Sequence, residues 1–365
     1  MYIVINFVAA FILLAYLFII HLFIKGWKKT PYFQIKPVEG NPVAVSVVIC
    51  CRNEAHHLPS LIEALRAQTY KHFELIWVND HSTDDTLEIM RSSVSFFECV
   101  QIVNAEGKGK KKALKEGILA AMGDLIVTTD ADCIPGKHWL ELISNYQLET
   151  NADLLICPVK MPQGHSLFTR LQSLEFATLV GTGMGAAGAG MPILCNAANM
   201  AFTKETWMQS AVDLHEEEIS GDDVFLLLSI KKRKGKISVL KSSEAMVLTG
   251  YKKNLRSFIN QRRRWASKSS KYTDWQILTV GAIVAAVSLI LFLLFVSSFL
   301  FTQLWLVFLP VFLVKLITDY LFLHEIRPCF LFNLRIADVL MLSLVYPVYV
   351  TTVGISSLIW KRKSW

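Results

Sequence analysis

The sequence predicts an α/β domain with a mainly parallel sheet, flanked by transmembrane helices. Two observations predict the membrane helices: 53% of the 365 residues are apolar and only 18% are charged, and the apolar residues are concentrated at the two ends of the chain. A third observation predicts the α/β domain. Between residues 43 and 250, short apolar, β-branched segments alternate with segments of helical periodicity.

The first apolar run covers residues 1–24 and contains no acidic or basic residue except His21. As a helix it would be about 36 Å long, enough to cross a bilayer core of about 30 Å. It lacks a charged n-region and is too long for a cleavable signal, so we expect a retained N-terminal transmembrane helix. Lys25, Lys28 and Lys29 follow at once, which by the positive-inside rule puts the middle of the chain in the cytoplasm.

A second apolar region covers residues 276–360. It divides into three predicted spans, at 276–299, 301–323 and 336–360. Four spans in total would put both termini outside, yet the chain ends in the basic sequence KRKSW, which favours the inside. The number of C-terminal spans and the side of the C-terminus therefore stay open.

Lys315 and Asp319 lie one helical turn apart within the second of these spans. Each would cost about 2.5–3.5 kcal/mol at mid-bilayer, so we expect them to pair or to face the bundle interior. Such a pair serves either helix packing or an intramembrane functional site.

The net charge of +7 comes from Lys and Arg that crowd beside the apolar spans. Attraction to anionic membrane lipids or to phosphate substrates explains this placement, so nucleic acid is not an expected partner. The seven cysteines include no CxxC pair or zinc-like spacing, which predicts reduced, cytosolic thiols.

The middle of the chain alternates predicted strands and helices. The predicted strands are 43–51, 73–80, 99–104, 124–132 and 152–160, and the predicted helices are 58–68, 83–93 and 110–122. Short connections and continuous apolar strands indicate a parallel sheet covered by helices on both faces. The turns lack the glycines of a dinucleotide fingerprint and the Ser/Thr of a P-loop. Ligands of such sheets bind beyond the carboxyl ends of the strands.

Asp130 and Asp132 end the fourth predicted strand, in the sequence TTDAD. Their carboxylates would project near one another into the crevice, an arrangement suited to Mg²⁺ or Mn²⁺, which commonly share their coordination shell with substrate phosphates. Asp80 ends the second strand and could accept a hydrogen bond from a base or ribose. Lys110, with Lys108 nearby, offers cations to a nucleotide, although a solvated lysine run is the alternative.

A cationic segment, SFINQRRRWASKSS, precedes the C-terminal apolar region. Residues 251–272 have one apolar side and one basic side at helical spacing, which is typical of a helix in the membrane interface. Gln261, Arg264 and Trp265 follow at i, i+3 and i+4 and so share one face. A juxtamembrane basic patch with an interfacial tryptophan explains the cations and the indole, but it does not explain the position of the glutamine.

Taken in order, five motifs resemble those of the inverting GT-A glycosyltransferases of family 2. They are VSVVICCRNE (45–54) with VNDHSTDDT (78–86), GKKKALKEGI (109–118), TTDAD (128–132), GDD (221–223) and QRRRW (261–265). The last two are similar to motifs of the membrane-integrated branch, which includes hyaluronan, cellulose, chitin and poly-N-acetylglucosamine synthases and relatives of ceramide glucosyltransferase. The resemblance implies a nucleotide-sugar-binding, Rossmann-like GT-A domain over 43–250, in a bacterial-type cell membrane.

The resemblance also assigns a role to individual residues. By this resemblance, Asp80 and Glu54 would bind the nucleotide, and Asp130 with Asp132 would bind the metal and the diphosphate. Asp223 would be the catalytic base. The diphosphate and acceptor site would be formed by Gln261, Arg264 and Trp265. Asp222 would orient the site, although an acidic first helical turn is favourable in any case.

Two residues depart from the family pattern. Asn79 stands where the family often has an aspartate, and Arg52 where it often has a tyrosine that stacks on the base. Arg52 could stack through its planar guanidinium instead. The donor nucleotide, UDP or GDP, therefore stays open.

The segment between the TTDAD and GDD motifs is less informative. Residues 165–180 have the pattern of a second interfacial helix. The glycines of 181–207 either permit close approach to a sugar or lipid or form a loop. Asn196 and Asn199 are hypotheses for acceptor contacts.

These features favour a membrane-embedded glycosyltransferase with a lipid or lipid-linked acceptor, because about three or four helices are few for a polymer channel. A processive β-linked polysaccharide synthase, completed by an accessory subunit or as a homo-oligomer, is the alternative. A non-catalytic scaffold or a transporter with a nucleotide-binding domain belongs to another class. The shared retention of Asp130, Asp132, Asp223 and Arg264 argues against the scaffold, and the few spans argue against the transporter.

Overall fold

A mainly parallel sheet forms the centre of the α/β domain in the computed structural model, which describes residues 2–35, 42–210, 221–268 and 271–359. Its seven strands are β1 (Val45–Cys51), β2 (Phe73–Asn79), β3 (Val100–Asn104), β4 (Leu125–Thr128), β6 (Leu154–Ile156), β8 (Met200–Thr203) and β9 (Ile237–Val239). Three shorter strands, β5 (Cys133–Pro135), β7 (Val159–Lys160) and β10 (Val247–Thr249), form a second sheet.

The strand order in the main sheet is β3-β2-β1-β4-β8-β6-β9. β1 pairs in parallel with β2 and β4, and β2 pairs in parallel with β3. Only β8 runs against its neighbours, β4 and β6. The predicted α/β class with a mainly parallel sheet is therefore confirmed, with one reversed strand that the sequence did not indicate.

The strand predicted over 152–160 was wrong as a single element. It divides into β6 and β7, which belong to different sheets. Pro158 stands between them and has no N–H to donate to a strand ladder. Its carbonyl instead accepts hydrogen bonds from the Asn199 side chain at 2.7 Å and from the Val247 backbone at 3.2 Å.

Within the described residues, eight α-helices accompany the two sheets: α2 (Leu58–Arg66), α3 (Thr86–Ser93), α4 (Lys110–Ala120), α5 (Trp139–Thr150), α6 (Leu167–Gly188), α7 (Lys204–Ser210), α8 (Asp222–Lys232) and α9 (Leu255–Ala266). α3 begins three residues later than predicted. Asp84 precedes it and accepts hydrogen bonds from both the backbone N–H and the hydroxyl of Thr86. The side chain of Asp84 thus satisfies a backbone donor at the start of the helix.

Four helices among the described residues are long and apolar enough to cross a membrane. They are α1 (Tyr2–Lys29), α10 (Trp275–Ser298), α11 (Trp305–Phe330) and α12 (Ile336–Ile359). As expected, Lys315 and Asp319 pair within α11, and the Tyr16 hydroxyl of α1 donates to the same carboxylate at 2.6 Å. The basic residues 361–365, on which the side of the C-terminus depended, lie outside the described residues.

α6 joins the α/β domain to the apolar helices. It was predicted to end at residue 180, but it continues to Gly188 through the glycine-rich segment, where its glycines meet α1. A Cβ on Gly26 of α1 would lie 2.0 Å from the carbonyl oxygen of Gly185, and a Cβ on Gly188 would lie 2.4 Å from that of Gly26. Small residues let two helix backbones approach closely. These glycines therefore serve a helix crossing and not a loop.

Candidate active site

One cavity, with a volume of about 420 Å³, lies at the carboxyl ends of β1 and β4. Most of the predicted site residues line it: Arg52, Glu54, Lys110, Asp130, Asp132, Asp223, Gln261, Arg264 and Trp265. Asp80 does not line the cavity, and the side chain of Asp222 lies outside the described part of the chain. Residues from five separate motifs thus converge on a single space.

At one end of the cavity, Asp130 and Asp132 offer two carboxylates. Their oxygens and the Cys133 sulfur all lie within 4.8 Å of one another. Mg²⁺ takes oxygen ligands at about 2.0–2.1 Å. Burial, reinforced by Asp130 and Asp132, raises the pKa of the Cys133 thiol well above its usual value, so the thiol stays protonated. Two carboxylates would fill two coordination positions of Mg²⁺ or Mn²⁺ and leave the others for phosphate oxygens, which fits these ions.

Asp80 is buried next to this cavity, with a relative exposure of 1%. Its Oδ1 accepts the backbone N–H of Gly109 at 3.0 Å. Its Oδ2 has no hydrogen-bond partner among the described residues, and the nearest cation, Nη1 of Arg52, is 3.9 Å away. Buried polar atoms are nearly always hydrogen-bonded, so this oxygen is a candidate acceptor for a donor from a ligand.

The turns that follow β1 and β2 are locked together by hydrogen bonds. Asn53 adopts a left-handed conformation with φ 57°, and its side chain accepts the Thr83 N–H at 2.8 Å. Its own N–H donates to the Ser82 hydroxyl, and the N–H of Glu54 donates to the Thr86 hydroxyl at 2.8 Å. These contacts fix the segment that carries Arg52 and Glu54 at the cavity.

Glu54 has an altered protonation equilibrium. Burial raises the pKa of its carboxyl group, and the negative charges of Asp132 and Asp130 raise it further. His57, whose Nδ1 lies 2.7 Å from Oε2, lowers the pKa and partly opposes this effect. Glu54 is therefore electrostatically coupled to the carboxylate pair.

Asp223 lies in the first turn of α8, after Gly221, whose φ of +100° favours glycine. Its Oδ1 accepts the Val224 N–H at 2.8 Å, which orients the carboxylate at the cavity. Tyr272 lines the cavity as well, and burial followed by the Asp223 charge raises the pKa of its phenol. The phenol stays neutral beside the carboxylate. Nothing in the sequence pattern had indicated Tyr272.

The three consecutive arginines of α9 point in three directions, because successive helix residues are 100° apart. Arg264 lines the cavity together with Gln261 and Trp265, as their spacing predicted. The Arg263 Nε donates to the Ser356 hydroxyl of α12 at 2.9 Å. Arg262 is buried on a third side and pairs with Glu175, which the sequence did not indicate.

The two asparagines proposed for the acceptor have different positions. Asn196 lines the cavity, and its side chain accepts the Ala198 N–H at 3.0 Å. The hypothesis for Asn199 was wrong, because this residue is fully buried and its hydrogen bonds are internal. Its amide donates to the carbonyls of Pro158 and Ala245, and its oxygen accepts the Trp139 indole N–H.

The mainly parallel sheet, with a cavity at the carboxyl ends of its strands, is the fold of GT-A domains, which bind nucleotide sugars at this edge of the sheet. Residues 46–207 match the family model "Glycosyl transferase family 2". This segment, which is less than half of the chain, therefore resembles the domain of family 2 glycosyltransferases.

Two curated relatives match part of the chain. Poly-β-1,6-N-acetyl-D-glucosamine synthase of Staphylococcus aureus (strain COL) is 25% identical over 154 residues, which cover 42% of this chain and 36% of the synthase. Glycosyltransferase GlyG of Streptococcus pneumoniae is 32% identical over 113 residues, which cover 31% of this chain and 38% of GlyG. The matched segments thus span little more than a third of the length of either relative.

A solved structure resembles nearly the whole chain. The mannosyltransferase PcManGT of Pyrobaculum calidifontis, in complex with GDP-Man and Mn²⁺, superposes with a TM-score of 0.56. The match covers 98% of this chain and 100% of that chain, at 15% sequence identity. This likeness shows a common fold.

Proposed function

We propose that the chain is a membrane-embedded, metal-dependent, inverting glycosyltransferase. It would move a sugar from a UDP- or GDP-linked donor to a lipid or lipid-linked acceptor. The observation that carries the proposal is the single cavity lined by the Asp130–Asp132 pair, Asp223 and Arg264. This transfer requires a pair of carboxylates for the metal, a further carboxylate and a cation, all in one space.

The nucleotide would lie against the turns that follow β1 and β2. The buried Oδ2 of Asp80, which has no partner among the residues described, would accept a hydrogen bond from the base or ribose. Arg52 would stack on the base through its planar guanidinium. Glu54 would complete this end of the donor site.

Departure of the nucleoside diphosphate leaves growing negative charge on phosphate oxygens. Enzymes lower barriers by about 8–23 kcal/mol, whereas one cation at 4 Å contributes about 4 kcal/mol at an effective dielectric of 20. Several positive charges are therefore needed, and the cavity offers Arg264 and Lys110. A divalent ion held by Asp130 and Asp132, when bound, would supply further charge stabilisation.

Asp223 would take the proton from the acceptor hydroxyl as a general base. The hydroxyl would attack the anomeric carbon from the face opposite the departing diphosphate. Attack from that face inverts the configuration, so an α-linked donor would give a β-linked product. Gln261 and Trp265 would hold the diphosphate and acceptor in place, and Asp222 would orient the site.

α6 supports a lipid acceptor. Phe176, Leu179 and Val180 on this helix line the cavity. The neighbouring Gly181 lies against Ile326 of α11, a helix able to cross the membrane. On this side, α6 alone therefore lies between the cavity wall and α11, and an acceptor with an apolar part matches this wall. The basic residues at the end of α1 support a cytoplasmic catalytic domain.

A processive β-linked polysaccharide synthase is the second candidate, favoured by the similarity to the poly-N-acetylglucosamine synthase. To separate the two, purified protein in detergent is incubated with a panel of UDP- and GDP-sugars and a membrane lipid extract, and products are read by mass spectrometry. We expect a lipid whose mass increases by one sugar residue. Long polymer made by the chain alone would favour the second candidate, and no product from any donor would refute both.

A further inference from the structure

Arg262 and Glu175 form a buried ion pair beneath the cavity-lining face of α9. Their relative exposures are 3% and 9%. The Arg262 Nε donates to Oε1 of Glu175 at 3.1 Å, and Nη2 contacts Oε2, so the guanidinium engages both carboxylate oxygens. The Tyr349 hydroxyl of α12 donates to Oε1 at 3.3 Å. One carboxylate thereby ties α9 to α6 and to a membrane helix.

Arg262 also touches the two cavity residues that flank it on α9. Its Nη1 donates to Oε1 of Gln261 at 3.3 Å. Its guanidinium carbon lies 4.2 Å from the ring centroid of Trp265. The indole also lies near α6, where the Phe176 ring centroid is 6.3 Å away. One guanidinium therefore contacts both Gln261 and Trp265.

A buried ion pair is an inefficient way to stabilise a fold, because the cost of desolvating two charges offsets most of their attraction. Its main consequence here is geometric. The planar guanidinium presents donors in a fixed fork, which sets the rotation of α9 about its axis and the plane of the stacked indole. A lysine at the same position would keep the charge and lose this directional control.

We infer that Arg262 and Glu175 are positioning residues of the transferase site, an inference that rests on the function proposed above. They hold Gln261 and Trp265 at the cavity without lining it themselves. Tyr349 extends the same assembly into the membrane helices. Because the proposed base, ribose and metal contacts of the donor lie on other residues, loss of the pair lowers the rate of transfer far more than it weakens donor binding.

The test compares Arg262→Lys and Glu175→Gln with wild type in steady-state transfer. We expect kcat to fall by at least about tenfold while the donor KM stays within about twofold, because small misplacements of reacting groups are costly to the rate. Arg263→Lys is the matched control, since this neighbouring arginine bonds to Ser356 and does not line the cavity; its kinetics should match wild type. Tyr349→Phe removes one hydrogen bond and no charge, so it replaces the other variants if they fold poorly. We expect a smaller fall in kcat for this variant.

A second readout does not depend on activity. In protein labelled with 5-fluorotryptophan, the ¹⁹F resonance of residue 265 is identified by its loss in Trp265→Phe. It should shift in Arg262→Lys and Glu175→Gln and stay unchanged in Arg263→Lys. An unchanged kcat or an unchanged resonance in both pair variants overturns the inference. Wild-type protein that transfers no sugar would refute the proposed function, and the resonance would still decide whether the pair orients Trp265.

Discussion

The Lys110 ammonium group contacts Oδ1 of Asp130 inside the cavity. The lysine at the start of α4 and the first carboxylate after β4 thus form one electrostatic unit, although they are 20 residues apart. In the absence of a divalent ion, the ammonium group compensates part of the charge of the carboxylate pair. Ion binding would free it for a phosphate oxygen.

Removing divalent ions should therefore abolish transfer. We expect treatment with EDTA to lower the rate by at least about a hundredfold, because metal coordination stabilises transition-state charge by several kcal/mol. Mn²⁺ or Mg²⁺ should restore the rate in wild type and fail to do so in Asp132→Asn. Asp85→Asn, at an exposed aspartate before α3, is the control and should respond like wild type. Full activity in EDTA would contradict the metal assignment.

Asp223→Asn tests the general base. An amide cannot take the acceptor proton, so we expect kcat to fall by about 10²–10⁴-fold. The dissociation constant of the nucleotide, measured by calorimetry, should stay within about twofold, because the proposed nucleotide contacts lie on other residues. Normal turnover in this variant would move the role of the base to another group.

Asp80→Asn tests the buried oxygen that has no partner among the described residues. A hydrogen bond to a charged group contributes about 1.5–3 kcal/mol, so we expect nucleotide affinity to fall by roughly 10- to 150-fold. Calorimetric titration with UDP and with GDP measures this change and identifies the preferred nucleotide. Affinity equal to that of wild type for both would show that Oδ2 is not a nucleotide contact.

The sequence predicted the parts of the site that local rules determine. Asp130 and Asp132 follow a strand end, and Gln261, Arg264 and Trp265 share a helix face by their spacing. These rules also gave the α/β class and the apolar helices, since both depend on periodicity.

Contacts between distant segments could not be predicted in this way. Arg262 and Glu175 are 87 residues apart, and nothing local distinguishes Arg262 from its neighbours. Asn196 and Asn199 carry the same side chain three residues apart, yet one lines the cavity and the other is buried. Their roles are separated by the segments that lead into β7 and β10, whose Pro158 and Ala245 carbonyls accept hydrogen bonds from the Asn199 amide.

Glu54 should make stability depend on pH. Its pKa is raised from the ordinary value of 4.5, chiefly by burial, so the folded state binds this proton more tightly than the unfolded chain does. The stabilisation that comes from tighter binding of this proton is fully present below about pH 4.5. It is lost as the pH rises through the raised pKa of Glu54. Glu54→Gln stays neutral throughout, so its Tm relative to wild type should rise between pH 4 and pH 7 in metal-free buffer.

The control for this measurement is Glu63→Gln, at an exposed position on α2. Its Tm relative to wild type should not change over the same range. If the Tm difference between Glu54→Gln and wild type is the same at every pH, burial does not perturb the pKa of this carboxyl group.

The crossing of α1 and α6 gives a prediction with a closely matched control. In Gly26→Ala the new Cβ would lie 2.0 Å from the carbonyl oxygen of Gly185, so the two backbones must separate. We expect a loss of about 1–3 kcal/mol of stability, the usual cost of overpacking, seen as a lower Tm. Gly281→Ala makes the same change within α10, where no atom lies within 4 Å of the new methyl group, and should keep the wild-type Tm.

The same crossing connects stability to activity, because α6 carries Gly185 at the joint with α1 and Phe176 in the cavity wall. Separation of the two helices should displace that wall. Gly26→Ala should therefore reduce the transfer rate per folded molecule, with folded protein quantified by size-exclusion chromatography. If the transfer rate per folded molecule of Gly26→Ala equals that of Gly281→Ala, the position of α1 does not affect the cavity wall formed by α6.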